Sequence, residues 1–317
     1  MNIRFIIQRL ILALFVVLGV TVVVFMIIQL VPGDPARVSL GQQATEENLR
    51  ARRERLGLDR PLYEQYVSWV SNAIQGDLGK SLITNQPIGP QIMDRLPTTL
   101  QLAGLALLIG MAIAFPLGII SALRPGTLID TVAMFVSQLG VAVPDFWMSI
   151  LLVLLFSTTL DWLPPSGYTP ITENFREWLD HMILPAMTAG FISASIQTRF
   201  IRSAMLETLR QNYVTTARAK GLRERVVIIQ HSLRNAMITI VTILGLQMTA
   251  LLSAVVVIEI VFALPGLGSL TLDAVDARDY PLIQATVLVM AVLVTLINLG
   301  VDIIYFLIDP RIAQKEY

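Results

Sequence analysis

Nineteen consecutive residues, Leu10–Ile28, contain only two that are not hydrophobic, Gly19 and Thr21. A helix needs roughly 20 mostly apolar residues to cross a bilayer. Leu102–Leu123, Met182–Thr198, Ala236–Ile258 and Tyr280–Val301 are likewise uncharged, and Val132–Leu160 carries only Asp145. Hydrocarbon cannot satisfy a bare backbone, so each run is driven to helix, and six spans are expected. Val132–Leu160 is too long for one upright helix and is interrupted at Val143-Pro144-Asp145. It reads as a membrane-entry segment followed by a span. Only 15% of the 317 residues are charged, against about 25% in soluble chains. A soluble enzyme, a disordered tail and a nucleic-acid binder are poor fits to that composition. Arg4 and Arg9 precede the first run in the manner of a signal sequence. The run is longer than a signal's apolar core of about 7–15 residues and lacks a clean cleavage pattern, so an uncleaved first span is expected.

Basic residues in short loops set orientation. The N-terminus carries Arg4 and Arg9 without an acid, Asp161–His181 holds four acids against Arg176, and Glu259–Asp279 is acidic apart from Arg278. Arg199–Arg234 is the opposite, with eight bases against Glu207 and Glu224. The alternation places both termini in the cytoplasm. Pro32–Pro97, with eight bases and eight acids, is long enough to be largely exempt from the rule and then lies outside. Tyr63, Tyr66, Val67, Trp69 and Val70 give it an amphipathic helix, with Pro61 near its first turn. Trp147, Trp162 and Trp178 fall near the expected interfaces, where amphipathic rings are favoured.

Motifs for chemistry are lacking. The chain has no cysteine and two histidines, His181 and His231, so neither a thiolate site nor a histidine metal cluster is expected. It contains no G-x-x-x-x-G-K-[ST], H-E-x-x-H or G-x-S-x-G. No cofactor is expected. Asp130, Asp145 and Asp302, with Glu259 at a span edge, are the ionisable groups at membrane depth. Such groups are costly at the bilayer centre. They read as wet or interfacial carboxylates rather than a proton relay, which gives an ion-driven carrier little support.

The informative segment is Tyr213-Val214-Thr215-Thr216-Ala217-Arg218-Ala219-Lys220-Gly221-Leu222. Glu207–Lys220 is expected to be helical, with Gly221 ending it at positive φ, and Glu224–Ala236 to form a second helix leading into the fifth span. The result is a small projecting knob. Thr215, Thr216, Ala217 and Ala219 would let a partner's groove approach closely, and Arg218, Lys220, Arg223 and Arg225 would steer an acidic rim toward it. Spacing alone leaves open a plain positive-inside loop on lipid headgroups.

This segment resembles the EAA loop of the permease subunits of bacterial ABC importers, E-A-A-x-x-x-G followed by I-x-L-P. Aligned on Gly221, the E-A-A positions fall on Thr215, Thr216 and Ala217, with Ala217, Gly221 and Leu233 matching. T-A-R-A-K-G-L and H-S-L-R-N-A are similar to the peptide/nickel permease variant, which lacks the Glu. Val31-Pro32-Gly33-Asp34-Pro35, Leu56-Gly57-Leu58-Asp59-Arg60-Pro61-Leu62, Gly76-Asp77-Leu78-Gly79-Lys80-Ser81, Phe262-Ala263-Leu264-Pro265-Gly266-Leu267-Gly268 and Arg278-Asp279-Tyr280-Pro281 carry the same resemblance in order along the chain.

The resemblance implies an all-α integral membrane protein of six transmembrane helices with the type I ABC importer permease fold. Residues 1–31 would hold the first span, 32–97 the extracytoplasmic segment, 98–308 the permease core with a coupling loop at 199–235, and 309–317 a cytoplasmic tail. It implies the B-type, first permease subunit of a dipeptide/oligopeptide importer in the bacterial inner membrane. The implied partners are a homologous second permease, two ATPases that supply all hydrolysis, and an extracytoplasmic substrate-binding protein. The coupling residues would be Thr215, Thr216, Ala217, Arg218, Lys220, Gly221, Leu222 and Leu233. The outer-gate or binding-protein contacts would be Asp34, Pro265, Gly266, Gly268, Arg278 and Asp279. Nickel chelates, glutathione and oligosaccharides are alternative cargoes of similar subunits. An ion-driven carrier and an assembly subunit are the competing classes.

Overall fold

The computed structural model describes residues 3–30, 33–40 and 44–308. Val31, Pro32 and the expected tail at 309–317 lie outside the described residues. Regular structure runs α1 (Ile3–Leu30), α2 (Pro35–Leu40), α3 (Glu46–Leu56), α4 (Leu62–Ile74), α5 (Ile88–Leu123), α6 (Leu128–Ala142) and α7 (Asp145–Leu152), the last prolonged by a π-helical stretch, Val153–Thr159. Then come α8 (Phe175–Leu209), α9 (Asn212–Ala219), α10 (Glu224–Val226), π-helical Val227–Leu233 leading into α11 (Arg234–Val261), α12 (Leu267–Asp276) and α13 (Tyr280–Ile308).

Among the described residues, five helices are long and apolar enough to span a membrane, and α6 with α7 makes a sixth when the bent pair is taken as one. That pair bends by 106° at Val143-Pro144. The residue before a proline is driven out of the helical region, and Val143 is extended, at φ −84 and ψ 125.

The chain divides into two units. The first is built on Thr99–Leu264, with residues 3–6 and 297–308. Its core joins Ala114, Ala122, Ala194, Ile201, Ala204, Met205, Ala236 and Ile240. Helices in lipid approach closely through small residues, and α5 and α8 do so here. A Cβ on Gly118 would lie 2.8 Å from Ile201 Cβ and 3.0 Å from the Thr198 carbonyl. Gly118→Ala is therefore expected to cost about 1–3 kcal/mol by overpacking, read as a lower melting temperature of the detergent-solubilised protein. An unchanged melting temperature would contradict this contact.

Three expectations fail here. Asp130 is buried rather than wet. Its carboxylate accepts from Arg202 Nε at 2.6 Å and Nη2 at 2.8 Å, from the Gly126 amide at 2.9 Å, and from the Ser121 hydroxyl. Fixed donors thus replace solvent around it. Glu259 is fully buried too, accepting from Thr99 Oγ1 at 2.6 Å. Trp178, near an expected interface, is buried within the protein and donates from Nε1 to Gln101 Oε1 at 2.8 Å. Arg199 and Arg202, counted above with a loop, lie on α8 because that helix continues to Leu209.

The second unit comprises Ile7–Thr98 and Pro265–Leu296. The amphipathic helix expected near Pro61 is α4, and its aromatic face lies on α1. Phe25 stands edge-on to Tyr66 with centroids 5.5 Å apart and stacks on Trp69 at 6.3 Å. Thr21, a polar break in the first run, donates to the Leu18 carbonyl at 2.7 Å. Its oxygen lies 2.9 Å from Tyr66 Oη, which is left to donate.

Candidate functional site

The basic segment forms a small body of its own. The expected helix Glu207–Lys220 is broken at Gln211, which is extended at ψ 148. The break turns Val214 and Ala217 inward against Val227 and Leu209, so an apolar contact overrides helix continuation. Beyond α9, Gly221 has φ +74. The Leu222 amide donates to the Ala217 carbonyl at 3.3 Å and the Gly221 amide to the Arg218 carbonyl at 2.9 Å. This is a Schellman end, which requires a left-handed residue at that place.

Two side-chain ties close the body. Arg218 donates from Nη2 to Glu224 Oε1 at 2.7 Å and from Nε to Oε2 at 3.3 Å. The pair reaches over the glycine turn and is exposed on both sides. Hydrogen bonding from Arg218 holds the Glu224 carboxyl below the usual range, and Glu224 raises the guanidinium in turn. Asn235 Nδ2 donates to Tyr213 Oη at 3.0 Å and to the His231 carbonyl at 2.7 Å.

Thr215, Thr216, Arg218, Lys220, Gly221 and Leu222 share the exposed surface of this body. Ala217 faces inward, and Leu233 packs on the core of α5, α8 and α11. Sequence reading missed Val214, Val227, Glu224, Tyr213 and Asn235. Valines in a polar stretch were a usable signal for the first two; nothing local pairs Arg218 with Glu224.

The other candidates lie in the second unit. Asp279 is buried and accepts from the Leu82 amide at 3.0 Å and the Ser81 hydroxyl. The G-D-L-G-K-S and R-D-Y-P stretches therefore meet at one carboxylate. Arg278 ends α12 in the left-handed region, φ 55, while the Asp279 amide donates to the Ala274 carbonyl at 2.8 Å. A side chain thus occupies a position that favours glycine. Gly266 and Gly268 are buried and Pro265 is partly so. Leu267, Leu270 and Ala274 pack on Ile88, Ile92, Leu282 and Ala285.

Asp34 accepts from Arg53 Nη2 at 2.7 Å and Nε at 3.1 Å, and from the Ala36 amide at 3.0 Å. Burial alone would raise this carboxyl; the Arg53 and Ala36 hydrogen bonds and the guanidinium charge outweigh it, and the net direction is down. A carboxyl depressed in the fold stabilises above its unfolded value, about 3.9, and that contribution is lost as pH falls through the folded value. Proteolysis between α2 and α3 should therefore quicken below about pH 4, with Asp34→Asn flattening the dependence. A parent and variant with identical acid profiles would remove the pair from this account.

Residues 114–314 match the binding-protein-dependent transport system inner membrane component model, and residues 2–103 match the N-terminal model of the same component. The chain is 40% identical to a di/tripeptide transport system permease protein of Pseudomonas aeruginosa, covering 98% of this chain and 99% of that one. It is 38% identical to an oligopeptide transport system permease protein of Bacillus subtilis over 97% and 98% of the two chains. It is 39% identical to a glutathione transport system permease protein of Escherichia coli over 98% and 99%. Among solved structures, the MetNI methionine ABC transporter in an inward-facing form shares the fold, with TM-score 0.58 at 16% identity over 69% of this chain and 96% of that one. The chain belongs to the binding-protein-dependent transport system inner membrane component family and is a permease subunit of an ABC importer.

Proposed function

We propose that this permease carries peptides, forming half of a translocation path with a homologous second permease. Near-full-length similarity to peptide permeases carries the reading. Glutathione, itself a tripeptide, is the second cargo to test, because a glutathione permease is nearly as similar. Two ATPase subunits supply the hydrolysis, and this chain performs none. Both termini are cytoplasmic, the segment 32–97 lies outside, and the core at 98–308 carries the coupling loop at 199–235.

The knob is the coupling element. A small body with a set shape, an apolar underside and exposed Thr215, Thr216, Lys220 and Leu222 suits insertion into a groove of an ATPase. Nucleotide-driven closure of the ATPases then moves the helices as rigid bodies. On the outer side, Asp34, Arg278 and the neighbouring α12 end supply contacts for a substrate-binding protein. Gly266, Gly268 and Asp279 hold that end in place. Pairing of Asp130 with Arg202 removes one candidate relay from the ion-driven alternative.

The test is reconstitution of the four-subunit complex with its binding protein. ATP hydrolysis should rise with di- or tripeptide and much less with nickel chelate or oligosaccharide. Uptake that persists on a proton gradient without the ATPases would overturn the reading.

A further inference from the structure

A cavity of about 400 Å³ lies in the second unit, where the end of α1 meets the α3–α4 turn and the start of α13. Its volume is within the range of small-molecule sites, about 300–1,000 Å³. Phe25, Ile28 and Trp69 supply apolar walls, and Arg55 and Arg60 stand at the rim with Glu64. Neither rim arginine makes a side-chain hydrogen bond or ion pair among the described residues. Tyr280 also lines the cavity and is only 5% exposed; its hydroxyl is buried beside Gly33 and has no hydrogen-bond partner among the described residues.

The position narrows the ligand. Phe25 and Ile28 sit at the end of the apolar run Ile7–Leu30, the depth at which headgroups begin and aromatic rings collect. Two guanidinium groups against one carboxylate leave a single net positive charge, matched to a phosphodiester rather than a doubly charged phosphate. Arginine suits phosphate oxygens through its planar fork, and basic pockets beside membrane helices take lipid headgroups.

We infer that this cavity seats the phosphodiester headgroup of an anionic phospholipid, with Arg55 and Arg60 on the phosphate and the lipid's apolar part along Phe25, Ile28 and Trp69. The site does not depend on the cargo. Which leaflet it faces follows from the orientation proposed above, the outer one.

The test uses the assembled importer in nanodiscs of equal parts phosphatidylglycerol and phosphatidylcholine, followed by native mass spectrometry. Phosphatidylglycerol should stay bound to the wild-type complex in preference to phosphatidylcholine. The double variant Arg55→Gln/Arg60→Gln should reduce its retention by at least about tenfold, from two lost basic contacts at the surface. Both arginines are exposed, so the double variant should still assemble. Retention unchanged in the double variant, or equal for the two lipids, overturns the inference. So does displacement by millimolar glycerol 1-phosphate, which would mark a site for a soluble anion. A photo-crosslinker at Ser68 that captures the binding protein rather than lipid overturns it as well.

Discussion

Gly221→Val should abolish peptide uptake while the protein still reaches the membrane at wild-type levels. Gly221 sits at φ +74, and a Cβ built there meets no heavy atom within 4 Å. The penalty is thus conformational rather than steric. A left-handed residue other than glycine costs roughly 1–2 kcal/mol, and a β-branched one is a true outlier there. The cost falls on a body closed by two hydrogen bonds and one exposed ion pair, so the turn should open before the spans loosen. A graded series separates this from bulk. Gly221→Asn should retain most uptake because asparagine visits that region readily. Gly221→Ala should be intermediate and Gly221→Val worst, although all three enter open space. An order that follows side-chain volume, with asparagine as damaging as valine, would refute the conformational argument.

Arg202→Met should lower the amount of folded protein more than any surface change. The Asp130 carboxylate would remain buried with only Ser121 and the Gly126 amide as donors. Removing one partner of a buried pair costs about 3–5 kcal/mol, whereas replacing both by neutral groups is often tolerated. Asp130→Asn/Arg202→Met should therefore recover much of the abundance and thermal stability lost in the single variant. Asp130 lies on the first turn of α6 and Arg202 in the second half of α8, so the pair fixes the cytoplasmic end of one helix against the other in the orientation proposed here. A double variant as unstable as the single one would show that the groups act independently.

Much of the helical plan was legible because hydrocarbon leaves a chain few choices. The apolar runs mark the spans, and Val143-Pro144 marks the sharp bend, since proline constrains the residue before it. Gly221 announced its own conformation for a similar local reason. What stayed hidden were contacts between residues far apart in the chain. Asp130 looked like a carboxylate at a wet edge, because nothing near it in sequence points to Arg202 on α8. Asp279 read as part of a gate motif, yet its carboxylate is occupied by Ser81 and the Leu82 amide. The burial of Trp178 against Gln101 was hidden for the same reason. The break at Gln211 was missed because it serves Val214 and Ala217, whose apolar partner Val227 lies beyond the glycine turn.

The ties within the α9 body bear on its working cycle. Arg218 with Glu224, and Tyr213 with Asn235, tie it together, so in the coupling role proposed above a motor subunit would meet the same surface on every stroke. Little ordering entropy is lost at each engagement. In that role, force applied there would pass through Val227, on which Val214 and Ala217 pack, into the π-helical stretch at the root of α11, rather than being spent in straightening a slack tether.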